Sequence, residues 1–308
     1  MGRMASVATD RARKAKDAPV RMRPPELEDP LNKYVYHPLA AHIARLLTPT
    51  PVTPNAVSVT GGLMVWVAAF AYTQVAGPLG VVLGLFFHCL WHVLDGADGD
   101  LARLTGKASP FGEMVDGACD YAAHSLLYVA LAAVLDDRIG IWAWIWGLAA
   151  AASHSLQTNH AETQRRSYLW WAYGLPWLKH SKVAGQEAAR PRGRLGAAFG
   201  WLGRRYLAVA DSMAPWTSDI DRMVEEAAGD PIRQRRIRRL VRLSWKTPIL
   251  LEKVVGPNPR TIILGLGMAL GSPAYFFFAE TVLLNLLLAG SVLYHNAAGR
   301  RLAARLRA

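Results

Sequence analysis

Four carboxylates, Asp95, Asp98, Asp116 and Asp120, stand at the ends of two very apolar runs. Asp95 and Asp98 are three residues apart and Asp116 and Asp120 four apart, so each pair shares a face if its run is helical. Between the pairs, Thr105, Gly106, Lys107, Ser109 and Pro110 give the composition of a tight connection. Helices joined so closely run antiparallel, and their acidic faces can converge. Unpaired carboxylates at a membrane's edge repel one another and cost on the order of several kcal/mol in desolvation. Hard divalent cations with oxygen ligands, Mg²⁺, Mn²⁺ or Ca²⁺, are the natural compensation. Two such ions about 4 Å apart stabilise phosphoryl displacement.

The stretch Asp95-x2-Asp98-Gly99-x2-Ala102-Arg103-x8-Gly112-x3-Asp116-x3-Asp120 resembles the signature of the CDP-alcohol phosphotransferase (CDP-alcohol phosphatidyltransferase) family at all eight fixed positions. Pro54-Asn55 also resembles the short Pro-Asn element that the family carries before its first membrane helix. The resemblance implies attack by a hydroxyl on the β-phosphorus of a CDP-linked alcohol, releasing CMP and forming a phosphodiester. It implies two divalent ions, Mg²⁺ or Mn²⁺, with Ca²⁺ as a further ion the site would accept. Asp95, Asp98 and Asp116 would hold metal, and Asp120 would divide its duty between the second ion and general-base work. Asn55, Asp98, Gly99, Ala102, Arg103 and Gly112 would contact the CDP moiety, with Arg103 as phosphate clamp. A homodimer is expected on the same ground.

The residues themselves are consistent with that chemistry. Pyrophosphate brings about two or three negative charges that need metal and arginine neutralisation. Bulk at Gly99, Ala102 or Gly112 would displace it. Asp100 is not a fixed family position and is expected to be solvated. His88, His92 and Asp95 share one helical face, as do Asp116, Asp120 and His124. A zinc pair is thinkable from that spacing, but hydrogen-bonded core histidines fit better, or an acceptor pocket lined by His92 and His124 with Lys107. Arg165, Arg166 and Lys179 could also recruit an anionic acceptor, or be ordinary basic residues of an inner surface.

Of 308 residues 52% are hydrophobic, and eleven are tryptophan. That excludes an ordinary soluble domain, and the reading is an all-α integral membrane protein of six transmembrane helices. Residues 1–30 hold seven Lys/Arg and almost no large apolar side chain, a disordered basic arm. That start lacks an apolar core segment, so no secretory signal is expected. In 31–53 an interfacial amphipathic helix is expected, with Leu39, Ile43, Leu46 and Leu47 as its apolar stripe. Helices 1–4 fill 54–160, with spans at 54–75, 80–94, 121–135 and 141–154 and the acidic motif at 95–120. Helices 5 and 6 and a basic C-terminus fill 261–308, with Gly271-Ser-Pro273 and Ala279-Glu280 both open as the turn between them. Cys89 and Cys119 lie in apolar segments and read as buried thiols rather than a disulfide.

With both termini and the acidic site cytoplasmic, 34 of the 35 Lys/Arg fall on the inner side and only Arg138 lies outside. That is an inner-membrane arrangement if the source is prokaryotic. The insertion at 161–260, between helices 4 and 5, is basic and Trp-rich. Tyr168, Leu169, Trp170, Trp171, Tyr173 and Trp177 read as a membrane interface belt. A loop is expected at 186–196 and helices at 195–213 and 230–251. The arginines of the last helix, against Ile232, Ile237, Leu240, Val241 and Trp245, suggest a basic amphipathic helix on anionic lipid. Nothing base-reading accompanies them, so nucleic acid is not expected as a partner.

The expected activity is membrane-embedded transfer in phospholipid synthesis, from a CDP-diacylglycerol-type donor to a small polar acceptor such as glycerol phosphate, inositol phosphate or serine. The alternative is the same chemistry with a soluble CDP-polyol donor, since the acidic residue at Asp100 resembles family members that use CDP-inositol. A non-catalytic scaffold is disfavoured because no motif residue is missing. A transporter would place its charges at the bilayer midplane, whereas here they cluster at one edge.

Overall fold

A computed structural model describes residues 24–175, 201, 204–205, 208–209 and 211–307. Among them every regular element is helical and no strand occurs. The arm before residue 24, Trp177, Lys179, the loop expected at 186–196 and most of the helix expected at 195–213 lie outside the described residues. In chain order the helices are α1 (His37–Leu47), α2 (Pro54–Gln74), α3 (Gly77–Leu104), α4 (Pro110–Ile139) and α5 (Ile141–Tyr173). Then follow α6 (Thr217–Glu226), α7 (Pro231–Ser244), α8 (Lys246–Val254), α9 (Pro257–Ala269) and α10 (Ala274–Arg307). Two compact units result, Met1–Ala151 with Arg260–Phe277, and Ala152–Pro259 with Phe278–Ala308.

In the first unit the helix ends are written locally. Thr53 caps α2 by accepting the Ala56 N–H at 3.2 Å, with Pro54 as first helical residue. α3 stops where Gly106 takes a left-handed φ of 67°. There the Lys107 N–H reaches back to the Ala102 carbonyl at 2.7 Å. Ser109 then opens α4 by accepting the Gly112 N–H at 3.0 Å. The predicted tight connection between the two acidic pairs is therefore a capped turn.

Small residues face inward and large ones outward. α2 buries Gly61, Gly62, Val65, Ala68, Ala69 and Tyr72, and exposes Val59, Leu63, Trp66 and Phe70 three or four residues apart. That pattern suits lipid as solvent, where helix association comes from close backbone approach rather than from hiding apolar surface. α1 follows the same rule. Tyr36, Ala40 and Ala44 pack against Val93, Ala97 and Leu101 of α3, while Leu39 and Leu46 are 49% and 61% exposed. The small residues permit helix contact, Ile43 and Leu47 pack beside them, and Leu39 and Leu46 are left outside.

Among the described residues four helical stretches are long and apolar enough to cross a membrane, in α2, in α3, at Val115–Ile139 of α4 and in α10. α5 has 33 residues, but Gln157, Asn159, His160, Glu162, Arg165 and Arg166 break its apolar character. α9, with 13 residues, reaches about 20 Å at 1.5 Å per residue, short of the roughly 30 Å hydrocarbon core. Of the two turns left open by the sequence, Gly271-Ser-Pro273 is the real one, with Gly271 at φ 85°. Ala279–Leu283 is only a π-helical turn within the continuous α10.

The second unit holds an aromatic core. Trp171, Trp216 and Trp245 meet with ring centroids 5.2–5.7 Å apart. The indole of Trp171 donates to Asp221 at 2.7 Å and that of Trp216 to Asn296 at 2.5 Å. The expected interface belt is thus corrected at Tyr168, Trp170 and Trp171, which are buried within this unit. The indole donors of Trp171 and Trp216 find a carboxylate and an amide as partners, so burial costs these two little. Along α5 and α10 a polar ladder joins Gln157 to Asn285, Asn285 to Ser153, and His160 to Ser291 at 2.9–3.2 Å. His154 adds an ion-pair distance of 3.6 Å to the buried Glu280.

Close approach makes one glycine testable. A Cβ at Gly84 of α3 would lie 2.4 Å from the Tyr72 ring of α2, whereas one at Gly290 of α10 meets nothing within 4 Å. Gly84→Ala should lower stability in detergent by about 1–3 kcal/mol through overpacking. Gly290→Ala should raise it by up to about 1 kcal/mol through helix propensity. Thermal unfolding of the two variants side by side checks the opposite signs.

Candidate active site

The ends of α3 and α4 that meet at the capped turn bring the acidic residues together. Carboxylate oxygens of Asp95, Asp116 and Asp120 all lie within 4.8 Å of one another. Asp98, 5% exposed, accepts the Ser58 hydroxyl at 2.5 Å and lies within hydrogen-bonding reach of Asp116. All four sequence-predicted carboxylates thus converge. Like charges at that spacing repel by about 3–4 kcal/mol per pair at an effective dielectric near 20. Protonation or a bound cation can relieve this repulsion, and the arginine that the motif supplies is engaged elsewhere.

That arginine, Arg103, forms an ion pair with Asp100 one turn earlier on α3. Asp100 is therefore not a solvated side chain, which corrects the expectation. The guanidinium lies over Gly99, where an added Cβ would sit 3.3 Å from its Nη1. Glycine at this position leaves room for the arginine to fold back. Gly112 plays a related part on α4. A Cβ there would be 3.3 Å from Ser109 Oγ and 3.9 Å from Asn55 Oδ1, so Asn55 at the start of α2 borders Gly112. Ala102 is half-buried on α3 and Lys107 is exposed in the turn.

The histidines form a packed stack below the carboxylates in sequence. His92 is buried, stacks on Tyr36 at 5.0 Å and on His88 at 6.0 Å, and bonds Thr261 Oγ1 at 2.8 Å. His124 meets Trp91 edge-on at 4.6 Å and donates from Nδ1 to the Asp120 carbonyl at 2.9 Å. The Tyr36 hydroxyl donates to Cys89 Sγ at 3.3 Å, and burial pushes that phenol above its ordinary range. Cys89 and Cys119 are free thiols. Hydrogen-bonded core histidines describe this arrangement. Arg165 and Arg166 both clamp Glu162, at 2.7 and 2.5 Å. Burial alone would raise that carboxyl, yet the two guanidinium groups hold it well below the usual range.

Sequence reasoning missed two supporting residues. Ser58 holds Asp98, and the Trp91 indole donates to Asp120 Oδ1 at 2.8 Å. A signal existed for the first: Ser58 is three residues after Asn55 on the same face of an uncharged apolar run. Trp91 is four residues before Asp95 but was hidden among eleven tryptophans.

Comparison with known proteins agrees with the geometry. Over 106 residues the chain is 29% identical to ethanolaminephosphotransferase 1 of Homo sapiens, covering 30% of this chain and 26% of that protein. Over 111 residues it is 27% identical to archaetidylinositol phosphate synthase of Pyrococcus horikoshii, covering 35% of this chain and 50% of the relative. The chain thus spans half or less of the length of these relatives. The family model described as CDP-alcohol phosphatidyltransferase matches residues 51–169, a stretch that contains Asn55, Ser58, Trp91 and the whole acidic motif. The likeness to the CDP-alcohol phosphatidyltransferase family thus lies in residues 51–169 of the 308.

Proposed function

We propose that the protein transfers a phospho-alcohol group from a CDP-alcohol to the hydroxyl of a polar acceptor within a membrane, with release of CMP. CDP-diacylglycerol is the donor this reading favours. The observation that carries it is the meeting of Asp95, Asp116 and Asp120 oxygens within 4.8 Å, on a motif whose spacing matches the family. The donor set fits Mg²⁺ or Mn²⁺, since it is all carboxylate oxygen at a span two ions about 4 Å apart can bridge. When bound, such ions neutralise the pyrophosphate and make its β-phosphorus more electrophilic.

In this reading Asp95, Asp98, Asp116 and Asp120 hold the ions, with Ser58 fixing the buried Asp98. Trp91 occupies Oδ1 of Asp120, leaving Oδ2 to take the acceptor's proton. The acceptor oxygen bonds to the β-phosphorus, the phosphorus–oxygen bond to CMP breaks, and its electron pair leaves with CMP. Arg103 supplies charge at the phosphates and is kept oriented by Asp100. Asn55, Gly99, Ala102 and Gly112 line the nucleotide's approach. His92, His124 and Lys107 remain the acceptor-side residues of the proposal, although the two rings serve packing first.

For the membrane we propose six spans, adding the Trp-rich first half of α5 and the apolar α9 to the four that qualify by length. The Lys/Arg asymmetry supports a cytoplasmic site and cytoplasmic termini. A homodimer is part of the same proposal, and residues 161–260 form the cytoplasmic insertion.

Purified protein given Mg²⁺ or Mn²⁺ should release CMP from at least one member of a panel containing CDP-diacylglycerol, CDP-inositol and CDP-ethanolamine with polar acceptors. Chelation should stop the release, and added metal should restore it. Asp120→Asn should cut turnover by roughly 10²–10⁴-fold while nucleotide binding persists; unchanged turnover would remove Asp120 from the chemistry.

Trp91→Phe keeps the ring against His124 and removes only the indole donor. It should raise the metal concentration for half-maximal activity by about 10–100-fold, the usual effect of losing an outer partner of a ligand. An unaltered metal titration would show that the hydrogen bond to Asp120 has no bearing on the site.

A further inference from the structure

The second unit carries a charged surface that the phosphotransfer chemistry does not use. α7 starts at Asp230, whose carboxylate accepts the Ile232 and Arg233 N–H groups at 2.9 and 3.1 Å. Ile237 and Val241 turn into the unit's core, followed by the fully buried Trp245. On the opposite side Ile232, Arg235, Arg236, Arg239, Arg242 and Leu243 fall within an arc of about 120° at 3.6 residues per turn. All six are exposed, Ile232 by 75% and Leu243 by 61%.

The composition of this arc decides between partners. α7 contains no acidic residue. Arg233 reaches Glu226 at 3.5 Å, but the four arginines of the arc pair with no carboxylate among the described residues. Arg235 and Arg242 instead bond carbonyls one turn back, at 3.2 and 3.3 Å. Ile232 and Leu243 share the exposed face with the arginines, and a phosphate backbone of nucleic acid gives them nothing to bury against. A bilayer surface accepts both kinds of side chain, guanidinium at the phosphates and alkyl groups at the acyl boundary. Leu250 and Val254 of α8 are exposed as well. This also revises the sequence reading, in which Ile232 was grouped with the residues opposing the arginines.

We infer that the arc of Ile232, Arg235, Arg236, Arg239, Arg242 and Leu243 docks the second unit on the surface of a bilayer that contains anionic phospholipid. Docking is electrostatic in its range and apolar in its seating. It depends on the lipid composition of the membrane and weakens with salt. It is independent of whether the carboxylate cluster turns over a nucleotide.

The test uses the full chain in lipid nanodiscs. Cys89 and Cys119 are replaced by alanine, and Leu243→Cys carries an environment-sensitive fluorophore, with Gly229→Cys as the control position. In discs containing phosphatidylglycerol the label at 243 should shift to the blue and be quenched by spin-labelled lipid, whereas in pure phosphatidylcholine it should report water. Raising salt should reverse the shift. Each change of Arg235, Arg236, Arg239 or Arg242 to Gln should lower the docked-to-free ratio about fivefold. The lipid comparison needs no arginine variant, so a variant that misfolds leaves the test intact. Identical spectra in the two lipids would overturn the inference. So would a label shielded by added duplex DNA and not by anionic lipid.

Discussion

Everything in the first unit is arranged around holding like charges together. Three carboxylates with oxygens inside 4.8 Å are unfavourable by several kcal/mol in any medium less polar than water. Their convergence therefore has to be enforced by the rest of the fold. The capped turn between α3 and α4 sets the two acidic helix ends side by side. Ser58 and Trp91 each take one carboxylate oxygen as acceptor, and Asp100 diverts the only motif arginine. A cluster so short of positive charge is what the proposed function, with its cation and polyanionic substrate, would complete.

Such enforcement needs helices that do not slide. Gly84 beneath the Tyr72 ring and Gly61 and Gly62 on the inner face of α2 allow backbones to approach closely. Ala40 and Ala44 do the same for α1 against α3. In lipid these short contacts, with their dispersion energy, replace the hydrophobic drive that water would supply. The site's precision and the membrane setting thus share one cause, because small residues inside are what lets α2, α3 and α4 present Ser58, Asp98 and Asp116 to each other.

The sequence made the acidic site legible because its information is local. Fixed spacing on two apolar runs, a Ser-Pro cap and a Gly turn are readable without knowing what packs where. Gly271-Ser-Pro273 ended a helix for the same reason. What failed were inferences about the surroundings of Asp100 and of the aromatic residues at 168–171. On α1 the apolar stripe divides, with Ile43 and Leu47 packed beside the alanines and Leu39 and Leu46 exposed. Tyr168, Trp170 and Trp171 suggested an interface belt, but partners far along the chain, Asp221 and Trp245, turn them into a core. Asp100 looked solvated because its partner one turn away was already assigned to a phosphate. Composition states what a residue can do in water or lipid; only tertiary packing decides which of those surroundings it receives.

The two units apply opposite electrostatic logic to the same class of ligand. In the first, anionic side chains are gathered, and in the proposed function a divalent ion bridges them to phosphate. In the second, α7 gathers arginines that have no acid of their own, so phosphate can be met directly. The first arrangement suits chemistry, because a metal ion polarises the group it binds. The second suits attachment, because guanidinium groups at an exposed surface attract phosphate without activating it. Exposed Ile232 and Leu243 strengthen that distinction. A catalytic phosphate site excludes water and has no use for alkyl groups open to solvent, whereas a surface that rests on lipid does.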